Sequence, residues 1–271
     1  MNMLQYLIFA TLFIGCITTT NYCSSTLCKA GKKHIACGHN GKFASTCPKN
    51  AAMVSFTTGM KDFIVDRHNA KRNLIAGGTV ANHKAACRMA TMQWDQELAN
   101  LVGLNVRQCK MSHDSCRNTD SFKHSGQNLA WMKYSGSLNA KKLLDKAVNM
   151  WYNEVKYSKM EYINSFPDST TILKKIGHFT VMVADRNIRV GCAASSYTQK
   201  GDKKKTFLIG CNYATSNILG MPTYVSCAKA GTTCKKGKNT KYTNLCSSSE
   251  IYNVGWTNQK NSWVPFQFYS N

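Results

Sequence analysis

Residues 176–192 read IGHFTVMVADRNIRVGC. Gly177-His178 opens this stretch, and the apolar run Phe179 to Ala184 follows. A polar turn, Asp185-Arg186-Asn187, separates that run from Ile188-Arg189-Val190-Gly191-Cys192, which alternates like a strand entering a core. A histidine leading into a buried run, with a cysteine pinning the strand beyond it, implies a fixed polar group at the edge of a rigid scaffold. His68, Gln127 and Glu154 are the partners the chain offers to His178.

The chain has 271 residues, 43% of them hydrophobic, which suffices for one large domain with appendages. Leu4 to Ile17 is almost wholly apolar and too short to span a bilayer. With Thr18, Thr19 and Thr20 after it, residues 1–20 read as a secretory signal peptide. No later segment is long and apolar enough to be a transmembrane anchor. Residues 21–57 hold Cys23, Cys28, Cys37 and Cys47 among glycines, as a cysteine-rich loop segment. Residues 58–214 read as the main domain and 215–271 as a basic, cysteine-rich extension ending in aromatics.

Thirteen cysteines are present. Setting aside Cys16 in the signal leaves an even number in an oxidising compartment, so full disulfide pairing is the simplest reading. The spacings Cys23-x4-Cys28 and Cys109-x6-Cys116 do not resemble zinc knuckles. The net charge of +22 favours anionic partners, sulfated glycans among them.

Helical periodicity predicts a helix from Thr58 to Ala76, with Phe63, Ile64, His68 and Ile75 on one face and Gly77-Gly78 as its stop. A second is expected from Asp95 to Lys110 and a third from Asn139 to Tyr157, with Trp151 inward and Glu154 at the border of its buried face. Strands are expected at Gln127 to Tyr134, Asn187 to Thr198 and Thr206 to Ala214. The last two would form a hairpin with Cys192 and Cys211 facing each other.

His68-Asn69-Ala70-Lys71-Arg72, Gly126-Gln127-Asn128-Leu129, Met150-Trp151-Tyr152-Asn153-Glu154 and Gly177-His178-Phe179-Thr180 occur in this order, and Met89 to Asp95 precedes the second helix. Together these resemble motifs of the CAP superfamily of cysteine-rich secretory, antigen 5 and pathogenesis-related proteins, nearest the antigen 5 branch with its venom allergens and fly salivary proteins. The resemblance implies an α+β fold: a three-layer α-β-α sandwich of the CAP (SCP-like) type with disulfide-rich N- and C-terminal extensions. It also implies the pairs Cys23–Cys37, Cys28–Cys116, Cys47–Cys109 and Cys192–Cys211. Cys87, Cys227, Cys234 and Cys246 would form two more, with three pairings open. Gln127 stands where many relatives have an acid, and Val181 and Ala184 replace their polar and aromatic residues.

The resemblance further implies a cleft of His68, Gln127, Glu154 and His178. His68, Glu154 and His178 would be the ligands, with zinc or copper as the ion and Gln127 completing the cleft. No such cofactor is required by the reading. No nucleophile–base set is evident, so binding is favoured over catalysis, whether hydrolytic or redox. Lys200-Gly201-Asp202 in the hairpin turn offers an integrin motif. Lys203, Lys204 and Lys205, with Lys235, Lys236 and Lys238, offer a surface for heparin-like glycan. Leu143, Leu144, Val148 and Val155 could line a channel for a small lipid. The expectation is thus a secreted, extracellular, monomeric, non-enzymatic binding protein. Its partner would be a host protein or a sulfated glycan, and the outcome, in a blood-feeder, modulation of haemostasis, complement or inflammation.

Overall fold

The structure is a computed structural model and describes residues 20–254. The signal segment, Cys16 and the aromatic tail from Trp256 lie outside the described residues. The chain runs β1 (Ala52–Val54), α1 (Thr58–Ala76), β2 (Ala85–Ala86), β3 (Gln93–Trp94), α2 (Gln96–Val106), β4 (Gly126–Tyr134), α3 (Ala140–Tyr152) and a 3-10 turn (Asn153–Tyr157). It continues with α4 (Met160–Asn164), α5 (Thr170–Val183), β5 (Arg189–Tyr197), β6 (Lys205–Tyr213) and β7 (Ser226–Cys227).

The sheet order is β1-β5-β6-β4, antiparallel throughout, with β3 adding in parallel to β5. Strand alternation divides its side chains between two layers. Val190, Cys192, Ala194, Phe207, Ile209, Cys211 and Tyr213 join Ile64 and Ile75 of α1, Trp151 of α3 and Phe179 of α5 in one core. On the other face, α2 packs close. A Cβ at Gly191 would meet Ala99 N at 2.2 Å, and one at Gly210 would meet Val102 Cγ2 at 2.5 Å, so only glycine lets the helix approach. This is the three-layer α-β-α sandwich expected.

Helix starts follow side-chain caps. Thr57, Asp95, Asn139 and Ser169 each accept from a backbone N–H in the first turn of α1, α2, α3 and α5. α2 stops at Val106 rather than at Lys110, because the chain turns through Cys109 at φ 52°. α3 tightens after Tyr152 into the 3-10 turn that carries Glu154. The run Phe179 to Ala184, expected only as buried, is the C-terminal part of α5 with its cap at Ala184.

Among the described residues, six disulfides staple the chain. Cys23–Cys37, Cys28–Cys116, Cys47–Cys109 and Cys192–Cys211 are present as the resemblance implied, and the open set resolves as Cys87–Cys227 and Cys234–Cys246. The extension is no separate unit. Tyr224 and Leu245 enter the main core, β7 pairs with β2, and Glu250 accepts from Lys235 N, Lys236 N and Arg88 Nε. Among the described residues, no helix is long and apolar enough to cross a membrane.

Candidate functional site

His68 does not sit in a cleft. Its side chain is fully buried, with 0% exposure. Nδ1–H donates to the Ile64 carbonyl at 2.8 Å, and Nε2 accepts from the Tyr213 hydroxyl at 2.9 Å. Both nitrogens are spent, and burial holds the ring's pKa down at about 4, so it stays neutral. Its neighbours in the motif are equally structural. The Asn69 side chain pairs with the Met92 backbone in both directions.

Arg72 is buried and donates to the carbonyls of Ala90, Met182, Ala184 and Asp185. The carbonyls of Met182 and Ala184 belong to the end of α5, where no helical partner remains for them and a cation suits the helix dipole. Asn187 Nδ2 donates to the Val181 carbonyl in the same turn. The polar turn 185–187 is thus fastened to α1 by one guanidinium.

Glu154 and His178 do meet. The 3-10 turn lays Glu154 against the middle of α5. Its Oε1 accepts from His178 Nδ1 at 2.6 Å and its Oε2 from Phe179 N at 3.0 Å. The His178 ring stacks on Trp151, with centroids 6.3 Å apart, and Trp151 Nε1 donates to the Leu129 carbonyl at 3.1 Å. His178 is held in one tautomer and one orientation, with about a third of its side chain in solvent.

Gln127 is occupied on a different partner set. Its Oε1 accepts from His113 Nδ1 at 2.9 Å, and its Nε2 donates to Asp114 Oδ2 at 2.7 Å and Asn212 Oδ1 at 3.0 Å. His113 is the residue sequence reasoning missed. Desolvation, then the Arg117 guanidinium, hold its pKa below the usual imidazole range, and charge on His178 acts in the same direction. Asn128, next to Gln127 on β4, donates through Nδ2 to the His178 carbonyl at 3.0 Å, which brings His113 and His178 to the same end of β4. The signal for it was available: His113 lies between Cys109 and Cys116, both anchored by the N-terminal segment.

The site that assembles is His113, Gln127, Glu154 and His178. Each imidazole spends Nδ1–H on an oxygen and has no partner for Nε2 among the described residues. The expected metal set does not fit. His68 is consumed in the core, both Glu154 oxygens are engaged, and no group of three His, Cys, Asp or Glu side chains among the described residues could hold a metal ion. What remains can bind through the Nε2 atoms of two imidazoles, with Glu154 orienting one and Gln127 the other.

The binding surfaces change shape too. Lys203, Lys204 and Lys205 lie exposed at the tip between β5 and β6, while Lys235, Lys236 and Lys238 belong to the extension, tied to Arg88 and Met89. The loop 88–91 leads into β3, which pairs at Arg189, the opposite end of β5 from Tyr197. The two lysine sets thus flank a strand about 26 Å long and do not form one patch. Asp202 of the Lys-Gly-Asp turn is ion-paired with Lys133. Leu144 and Val148 are core residues and Leu143 and Val155 pack against that core, so none lines a channel. A cavity of about 490 Å³ is edged instead by Arg67, Lys71, Leu74 and Asp145 on α1 and α3.

Residues 65–213 match the model of the cysteine-rich secretory protein family, CAP. Venom allergen-1 of Aedes albopictus is 38% identical over 93% of this chain and 98% of its own length. Antigen 5 like allergen Cul n 1 of Culicoides nubeculosus is 41% identical over 66% and 85%. Tabinhibitin 3 of Tabanus yao is 27% identical over 86% and 89%. Among solved structures, NaASP2 with Zn2+ aligns with a TM-score of 0.57 at 20% identity, covering 74% of this chain and 100% of that one. The α-β-α sandwich, the six paired cystines and these similarities together make the chain a member of the cysteine-rich secretory protein (CAP) family, in its antigen 5 and venom allergen group.

Proposed function

We propose that this protein acts outside the cell as a non-enzymatic binding protein that engages a partner through its displayed surface. The observation that carries this reading is the state of the cleft. Glu154, the carboxylate a water-activating centre would need as a base, has both oxygens committed to holding His178 and the α5 backbone. The exposed surface, by contrast, carries most of a +22 charge. The disulfides suit an oxidising, extracellular setting. A relative that carries an inhibitor's name, tabinhibitin, supports a role in restraining a host process such as haemostasis, complement or inflammation.

The test compares the purified protein with a His113→Ala/His178→Ala variant. Both are run in plasma clotting, platelet aggregation and complement lysis assays, and in peptidase and superoxide-consumption assays. Inhibition in one of the first group, equal for both proteins, is the expected result. Turnover in the second group, lost in the variant, would overturn the reading.

A further inference from the structure

We propose that the outer edge of β4 at Trp131–Lys133 is a docking site for an extended acidic peptide segment of a partner protein, which adds to the sheet as a further strand. The proposal names a partner chemistry for the surface-binding reading above, and rests on it.

The register shows which backbone groups face outward. Cys192 and Cys211 are opposite each other with Cα atoms 4.0 Å apart, which marks the close, non-hydrogen-bonded position of the β5–β6 ladder. The Cys211 N–H and C=O must therefore point to β4, where Cys211 lies opposite Asn128. Even-numbered residues of β4 thus bond to β6, and the odd-numbered ones, Gln127, Leu129, Trp131 and Lys133, turn their N–H and C=O groups away from the sheet. The Trp151 indole gives an independent check, since it donates to the Leu129 carbonyl from outside.

Trp151 covers the edge at Leu129, and on the outer side no backbone group among the described residues hydrogen-bonds to the N–H or C=O of Trp131 or Lys133. Trp131 leaves 50% of its surface in solvent, although Ala130 and Met132 on either side are buried. The strand is firmly seated while its edge stands open. Proteins blunt such edges with lysine. Here the Lys133 ammonium is turned back onto its own sheet, bound to Asp202 and to Thr206 Oγ1 at 2.9 Å, and 5.4 Å from the centre of the Trp131 ring.

Charge selects the occupant. Lys205 is opposite Tyr134, so the exposed Lys200, Lys203, Lys204 and Lys205 stand at the same end of β4, with Asp202 as the acid among them and already paired. A second copy would bring another +22 chain to this edge, and repulsion disfavours that. An extended segment with carboxylates on alternate residues would meet the lysines. Its backbone would take the outward N–H and C=O groups, and an apolar side chain would rest on Trp131.

The probe is a ten-residue capped peptide alternating Glu and Val, titrated calorimetrically into the full protein. A matched peptide carries proline at two adjacent central positions, which removes a donor of either facing. Because the Lys133 N–H points outward, Lys133→Pro removes a docking donor without breaking a β4–β6 bond, and Lys133→Ala removes the charge alone. Saturable binding of the probe is expected, weakened tenfold or more by the prolines in the peptide. Lys133→Pro should weaken it at least tenfold beyond Lys133→Ala, and Trp131→Ala several-fold. Melting temperature verifies folding, and if Lys133→Pro fails to fold, the proline peptide decides.

No saturable binding overturns the proposal. So does equal binding of both peptides, which would show simple ion attraction of the kind a sulfated glycan provides. Because the readout is peptide affinity, failure here leaves the clotting and complement results standing.

Discussion

The two ends of β5 handle polar side chains in opposite ways. At the Arg189 end, Arg72, Asn69 and Asn187 are buried, and each donates to main-chain carbonyls. The extension is laid over this end through Cys87–Cys227 and the Glu250 carboxylate. At the Tyr197 end, Lys200 and Lys203 to Lys205 stand in water around one acid, and the neighbouring strand edge is unpaired. Polar side chains thus serve as internal fasteners at one end, where they are arginine and asparagine, and as display at the other, where they are lysine and aspartate. A charged side chain that is buried must be fully partnered, and one in water need not be.

Arg72→Met should test that contrast most severely. It leaves the carbonyls of Ala90, Met182 and Ala184 without their donors in a dry site. A loss of about 3–5 kcal/mol in denaturant unfolding is expected, as for other broken buried charge networks. A loss below about 1 kcal/mol would mean that the closed end does not depend on this guanidinium.

Acid should open the closed end next. His68 is neutral in the fold, with a pKa near 4, while the unfolded chain takes the proton near 6.5. Between those values the unfolded state binds more protons, so this contribution to stability is complete above about pH 6.5 and fades as pH falls toward 4. It amounts to roughly 3 kcal/mol. His68→Gln should flatten that part of the profile, read as urea midpoints at pH 7 and 4.5. An unchanged slope would show that His68 is not the group being titrated.

The smallest effect is expected at the displayed end. The Lys133–Asp202 pair is about a third exposed on both sides and screened by water, so Asp202→Ala should change stability by less than about 0.5 kcal/mol. Platelet-integrin binding, if the Lys-Gly-Asp turn supplied it, would vanish in this variant. With the carboxylate held by Lys133, the expected outcome is no such binding by either protein, measured by adhesion to immobilised integrin.

Much of this was legible from residues alone, where one physical signal acts locally. Thr58–Ala76 has a threonine cap, helical spacing and a Gly-Gly stop, and its bounds were read as they stand. The β5–β6 hairpin announced itself by alternation and by facing cysteines. The segment Phe179 to Ala184 reads only as a buried run because it is apolar apart from Thr180. Its helical signal lies earlier, in Ser169 as cap and in Ile172, Ile176, Phe179 and Val183. The motif points His68 to the cleft, whereas its periodicity, shared with Ile64 and Ile75, places it inside, where it is fully buried. His113 escaped notice because only the fold brings its loop to Gln127 on β4 and near His178 on α5.

The Cys192–Cys211 crosslink has one more consequence. The exposed lysines between Gln199 and Thr206 are sites where a trypsin-like protease would cut. The crosslink spans that turn from within the sheet, so a nick there severs the chain without releasing a fragment. The two pieces stay registered strand to strand, and an unreduced gel would show a single band from a molecule already cleaved.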